Sequence, residues 1–237
     1  MYDPRSKAPV DEWFRAGLVM QSELHLFTQS IEWPALEAAR ELAVRVARST
    51  DRVRLRVHNV QESPAEARRA GVDQIPCFVP GPLDAARRRY VGAPSGRLYA
   101  NLLSDLIDTS RGDTRLRSDS LESLRRQDPV VSIQVFADRV SPHAAQMARL
   151  AHQFAFAAPG ITAETIVTEE FPDLADSLQV RAIPTVTLNG GETRVEGALP
   201  ESSFLAQVLR IAEEATNTGE FVRRGTGAVR AMTSQVH

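Results

Sequence analysis

VFADRVSPHAAQMARLAH, residues 135–152, is the stretch on which the reading of the chain turns. Val130, Val131, Ile133, Val135 and Phe136 make an apolar strand that runs into a short polar turn. Ser141-Pro142 then opens a helix, with a hydroxyl at the N-cap and a proline at the first helical position, where a missing N–H removes no intrahelical bond. A helix mouth of this kind lowers the pKa of a thiol placed there, through unpaired backbone N–H groups and the positive end of the helix dipole. The four residues at this mouth, Ser141-Pro142-His143-Ala144, contain no sulfur.

Working outward, the chain repeats itself. Gly71-Val72-Asp73-Gln74-Ile75-Pro76-Cys77-Phe78-Val79 and Gln179-Val180-Arg181-Ala182-Ile183-Pro184-Thr185-Val186-Thr187 both place Val three residues before an Ile-Pro pair that leads into a strand. Gly92-Ala93-Pro94 with Tyr99, Leu102 and Leu103 is echoed by Gly197-Ala198-Leu199-Pro200 with Phe204, Val208 and Leu209. Two echoes at an offset of roughly 105 to 108 residues indicate duplication of one supersecondary unit. Each copy reads strand, helix, strand, short helix, proline-led strand, strand, helix, which predicts a mixed four-stranded sheet with helices on its faces.

Three runs, residues 135–155, 169–190 and 194–209, resemble the C-terminal half of the tandem-glutaredoxin protein disulfide oxidoreductases, within the thioredoxin-like superfamily. YVGAPSGRLYANLLSDLIDTSRG, residues 90–112, is similar to the N-terminal half, and the resemblance spans roughly residues 12 to 213. It implies an α/β protein of two tandem thioredoxin/glutaredoxin-like domains. That family carries Cys-Pro-Tyr-Cys where this chain has Ser-Pro-His-Ala, so Ser141 and Ala144 stand in one dithiol slot. Ile31-Glu32-Trp33-Pro34 stands in the other, with Ile31 and Pro34 at the cysteine positions. The resemblance also implies cis prolines at Pro76 and Pro184, with the backbone of Ile75 and Ile183 able to pair with an extended peptide.

The expected layout is a first domain over residues 1–112 with a short leading helix near residues 10–20, a linker over 113–129, a second domain over 130–215 and a flexible tail over 216–237. With 237 residues, 43% hydrophobic and 24% charged, two cores of ordinary size can be buried. A net charge of -2 makes no electrostatic case for nucleic acid or membrane, and Lys7 is the only lysine. No run approaches the ~18 apolar residues of a membrane span, and MYDPRSKAP lacks the apolar core of a signal peptide. The cytoplasm is the expected compartment.

One cysteine, Cys77, excludes a disulfide within the chain and any cysteine-rich metal site. Thiol–disulfide exchange needs an attacking thiolate and a resolving thiol. Ser141 and Ala144 can supply neither, so no dithiol cycle and no cofactor are expected. Cys77, following Pro76 in a strand, is either a buried small hydrophobe or a monothiol relay. His143 reads as a solvent-facing imidazole, and Trp33 as either a lid on the core or a partner-facing aromatic. His25, His58 and His152 fall on different elements without metal-ligand spacing. The expectation is a redox-inactive protein whose Ile75, Pro76, Ile183, Pro184, Ser141, His143 and Trp33 hold a partner protein of unknown identity. The alternatives are an oxidoreductase or glutathione-linked relay through Cys77, and a glutathione-like thiol held by Ser141 and His143.

Overall fold

Prolines set the start of four helices, each at a first turn where the absent N–H costs no bond: Pro34 in α2 (Pro34–Arg48), Pro64 in α3 (Pro64–Ala70), Pro142 in α6 (Pro142–Ala157) and Pro172 in α7 (Pro172–Ser177). In the computed structural model, which describes residues 10–31, 33–191 and 193–218, these helices belong to two units with one element order. The first runs α1 (Val10–Gly17), β1 (Ser22–Thr28), α2, β2 (Val53–Asn59), α3, β3 (Cys77–Pro80), β4 (Arg88–Val91) and α4 (Gly96–Arg111). The second runs α5 (Ser118–Gln127), β5 (Val131–Ala137), α6, β6 (Ile161–Val167), α7, β7 (Thr185–Leu188), β8 (Thr193–Glu196) and α8 (Glu201–Thr218).

The stretch expected to be a linker, 113–129, therefore carries the second unit's counterpart of α1. Leu116 and Leu124 are buried in the second core, so this segment is part of the fold. The helix α8 continues to Thr218, past the expected start of the tail at 216, and the remainder of that tail, like residues 1–9, lies outside the described residues.

Each unit forms the expected four-stranded mixed sheet, but the two sheets are one. Strand order is β2-β1-β3-β4-β6-β5-β7-β8, with only β3 and β7 running against the rest. The joint is a parallel pairing of β4 with β6, in the register Arg88↔Ala163, Arg89↔Glu164, Tyr90↔Thr165 and Val91↔Ile166. β6 holds the place in its unit that β2 holds in the first, so the units join head to tail. Gly92 permits the close approach: it lies at φ 96, and a Cβ there would sit 2.9 Å from the Cβ of Val167.

One sheet face carries two cores, Leu24, Leu26, Phe78 and Leu102 in the first unit and Ile133, Val135, Phe154 and Phe204 in the second. The helix α6 packs against α4, α5, β5 and β6, which explains its Ala-rich, apolar sequence. The opposite face, under α3 and α7, holds a third cluster that crosses the joint and includes Phe27, Cys77, Phe136 and Ile166.

Polar groups lock the joint on both faces. Between α4 and α6, Arg149 forms ion pairs with Asp105 and Asp108, while His152 and the Tyr90 hydroxyl reach Asp105 at 2.6 and 2.7 Å, all of them buried. Burial pushes the Asp105 carboxyl up, but the neighbouring His152, Arg88 and Arg149 outweigh it and hold Asp105 below the usual carboxylate range. On the other face Arg89 pairs with Glu164 at 3.2 Å, Gln134 Nε2 donates to the same carboxylate at 3.1 Å, and the Thr187 hydroxyl donates to Gln134 at 3.3 Å.

Candidate functional site

Sheet register brings each Ile-Pro segment to the end of the strand that feeds a helix mouth. Phe27 lies opposite Cys77 and Phe136 opposite Thr185, so Ile75-Pro76 flanks the exit of β1 and Ile183-Pro184 the exit of β5. Both Ile-Pro bonds are cis. In each copy the proline carbonyl accepts from a glycine N–H at 2.8 Å, Gly92 to Pro76 and Gly197 to Pro184. Among the described residues no hydrogen bond uses the backbone N–H or C=O of Ile75 or Ile183.

The two isoleucine side chains are half-buried and pack on the same cross-joint cluster, whereas Pro76 and Pro184 are buried. Because β1 and β5 run parallel, both segments lie on one rim of the sheet. They are separated by four strand spacings, roughly 19 Å.

At the second mouth the helix start is already satisfied. Ser141 Oγ accepts from the Ala144 N–H at 3.2 Å, and the Ser141 N–H donates to Asp138 Oδ1 at 2.6 Å. The Arg139 N–H donates to Glu169 at 3.0 Å, and Glu170 accepts the Ala93 N–H from the first unit at 3.1 Å while pairing with Arg139. Burial raises the Glu170 carboxyl above its ordinary value, against the Ala93 N–H and Arg139. His143 is exposed and Ala144 fully buried. Acids surround this mouth, an environment that disfavours a thiolate or an anionic thiol ligand.

The first mouth is more apolar. Trp33 occupies the N-cap of α2 without a side-chain cap, Pro34 is exposed, and Ile31 and Trp33 are 48% and 36% exposed. Trp33 is thus half in solvent, neither a lid sealed into the core nor fully free. At the second mouth Val140 is 79% exposed, a residue that nothing in the sequence marked. Aliphatic and aromatic surface gathers where a dithiol would sit.

Cys77 is fully buried in β3, and burial pushes its thiol far above the ordinary range. His25 and His58, on different strands, do meet: Nδ1 of His25 lies 2.9 Å from Nε2 of His58, and Phe27 stacks on the His58 ring at 4.7 Å. Alternate positions on neighbouring parallel strands share a face, which is the signal that the sequence offered. Among the described residues no group of three or more His, Cys, Asp or Glu is placed to hold a metal ion, and no helix is long and apolar enough to cross a membrane.

A family model described as a thioredoxin domain matches residues 132–210, from β5 into α8. The whole two-unit arrangement is similar to a protein disulfide oxidoreductase from Aeropyrum pernix K1, at 22% identity and a TM-score of 0.78, covering 86% of this chain and 91% of that one. It is also similar to the N-terminal NTD_N/C domain of alkylhydroperoxide reductase AhpF from Enterococcus faecalis V583, at 16% identity and 0.77, covering 87% of this chain and 100% of that one. Sso1120 from Sulfolobus solfataricus shares the fold at 13% identity and 0.58, covering 78% and 99%. No curated protein sequence matches the chain. The chain has a tandem thioredoxin-like fold, and its single cysteine leaves neither unit with a dithiol.

Proposed function

We propose that this chain is a redox-inactive tandem thioredoxin-like protein that holds an extended segment of a partner protein along the rim carrying Ile75 and Ile183, as a binding, scaffolding or chaperone-like subunit. One observation carries the reading: among the described residues, two half-buried isoleucines keep their backbone N–H and C=O groups unpaired, on the rim that also carries exposed Ile31, Trp33 and Val140. Main-chain pairing at such open positions gives affinity, and the apolar side chains around them give selectivity. Trp33 stands at one end of this rim and Ser141 and His143 at the other, with Pro76 and Pro184 buried beneath the isoleucines' backbone.

A relay through Cys77 has the sequence but not the geometry behind it, since a fully buried thiol with a raised pKa is neither accessible nor ionised. Glutathione at Ser141 and His143 would meet a capped helix start and three acids.

Peptides selected from a display library on the folded chain test the reading. They should shift the Ile75 and Ile183 amides in ¹⁵N spectra and lose about tenfold in affinity against Val140→Asp. Selection that converges on no peptide, or on peptides that leave both amides unmoved, rules the reading out.

A further inference from the structure

The joint between the units shows what a free edge of this sheet accepts. In it, the β6 edge receives β4: Ala163 N–H donates to the Arg87 carbonyl at 2.7 Å, and Glu164 on the neighbouring face pairs with Arg89. Among the described residues, the equivalent edge of the first unit, β2, is paired on one side only, with β1. Ser22 N–H donates to the Arg52 carbonyl and Val60 N–H to that of Thr28, so the even-numbered backbone groups face β1. Backbone groups alternate sides along a parallel strand, which leaves those of Val53, Leu55 and Val57 pointing off the sheet. The Val57 side chain is 54% exposed.

Charge on this edge is reversed relative to the joint. Arg56 lies opposite His25 as Glu164 lies opposite Gln134, so Arg56 stands where the joint has its acid. Arg54 and Arg56 are exposed and pair with no acid among the described residues. A second copy offering β8 is excluded by the same reasoning. Arg194 holds the place of Arg89, each guanidinium donating to the carbonyls that close the preceding short helix, at 2.8 Å to Gln179 and 3.2 Å to Ala70. Head-to-tail addition of copies would set Arg194 against Arg56.

From this we infer that the outer edge of β2 is a docking site for an extended strand of a partner protein, added parallel, with acidic side chains facing Arg54 and Arg56 and apolar ones alternating with them. Backbone pairing comes from Val53, Leu55 and Val57, and selection from the two arginines. This surface is separate from the isoleucine rim, and neither reading depends on the other.

The test titrates the ¹⁵N-labelled full chain with two blocked heptapeptides, Thr-Glu-Val-Glu-Val-Glu-Thr and the same sequence with Lys in place of each Glu. The acidic peptide should shift the amides of β2, slow hydrogen exchange at Leu55 and Val57, and bind about tenfold tighter than its basic counterpart at low salt. In Arg56→Glu the preference should invert. Equal binding of both peptides, no binding of the acidic one, or shifts that leave β2 unmoved would each overturn the assignment.

Discussion

The Asp105 carboxylate, from the first unit, accepts the Nδ1–H of His152, from the second, at 2.6 Å, and neither side chain reaches solvent. A carboxylate can only accept, so Nδ1 carries the proton and Nε2 accepts from the Thr165 hydroxyl at 3.0 Å. Arg149 bridges Asp105 and Asp108 across the same seam. The two helices α4 and α6 are thereby held by paired charge inside an apolar surround, where loss of one partner strands the others.

Asp105→Asn should cost about 3–5 kcal/mol, because Arg149 and Arg88 would be left short of a buried anion. Urea unfolding followed by circular dichroism measures this, and the wild type should show one transition for both units, since the network belongs to both.

Acidification should weaken the fold below about pH 6.5. His152, His25 and His58 are all held below the ordinary imidazole value, first of all by burial. The unfolded chain, with imidazoles near pKa ~6.5, then takes up protons that the folded chain refuses. Stability is therefore fully present above that value and is lost as pH falls through the folded values. For His25 the neighbouring His58 and Arg56 add to the depression and Glu23, 3.4 Å away, opposes it. The drop in urea midpoint between pH 7.5 and 5.5 should shrink in His58→Gln. Comparing the two proteins isolates the histidine pair from Asp108 and Glu170, whose raised values act with the opposite sign.

Cys77 should resist a thiol-colouring reagent in the native chain and react as one thiol per chain in urea. Cys77→Ser should leave the rate of insulin reduction by dithiothreitol unchanged. A rate that rises with the wild-type chain and falls with the variant would restore the relay reading.

Ser141→Cys combined with Ala144→Cys should create disulfide reductase activity where the parent has none, because removing the Ser141 hydroxyl frees the residue-144 N–H that it now accepts, and that group and the helix dipole then favour a thiolate at 141. Adding Asp138→Asn should raise that activity further by removing the anion bound 2.6 Å away at the Ser141 N–H. An insulin turbidity assay reads both. Ser141→Ala alone should lose about 1 kcal/mol with its N-cap.

Much of the fold was legible because its signals are local. Pro34 and Pro142 mark helix starts, the Ile-Pro pairs mark strand starts, and the duplication joins them into two equal units. The joint was not legible, since Arg88, Tyr90, Ala163 and Thr165 carry no pattern that says which strand pairs with which. Nor were Asp105, Asp108, Arg149 and His152: polar residues three apart on a helix ordinarily face solvent, and only the meeting of two such helices turns them inward. Leu116, Leu121 and Leu124 are spaced for no more than a weak helix, so residues 113–129 read as a linker, and nothing local to them signals their burial against the second core. At the site, the slots were identified by the residues that fill them, whereas Glu169 and Glu170 join Asp138 around Ser141 from a turn far away in sequence.

Head-to-tail pairing of β4 with β6 gives the molecule a direction. A two-fold joint would have presented its mouths as rotationally equivalent ends, readable from either side. Here a chain bound as proposed would have an aromatic, uncapped mouth at one end of the rim and an acid-ringed one at the other, so a palindromic ligand gains nothing and reversal of a ligand's sequence should weaken its fit.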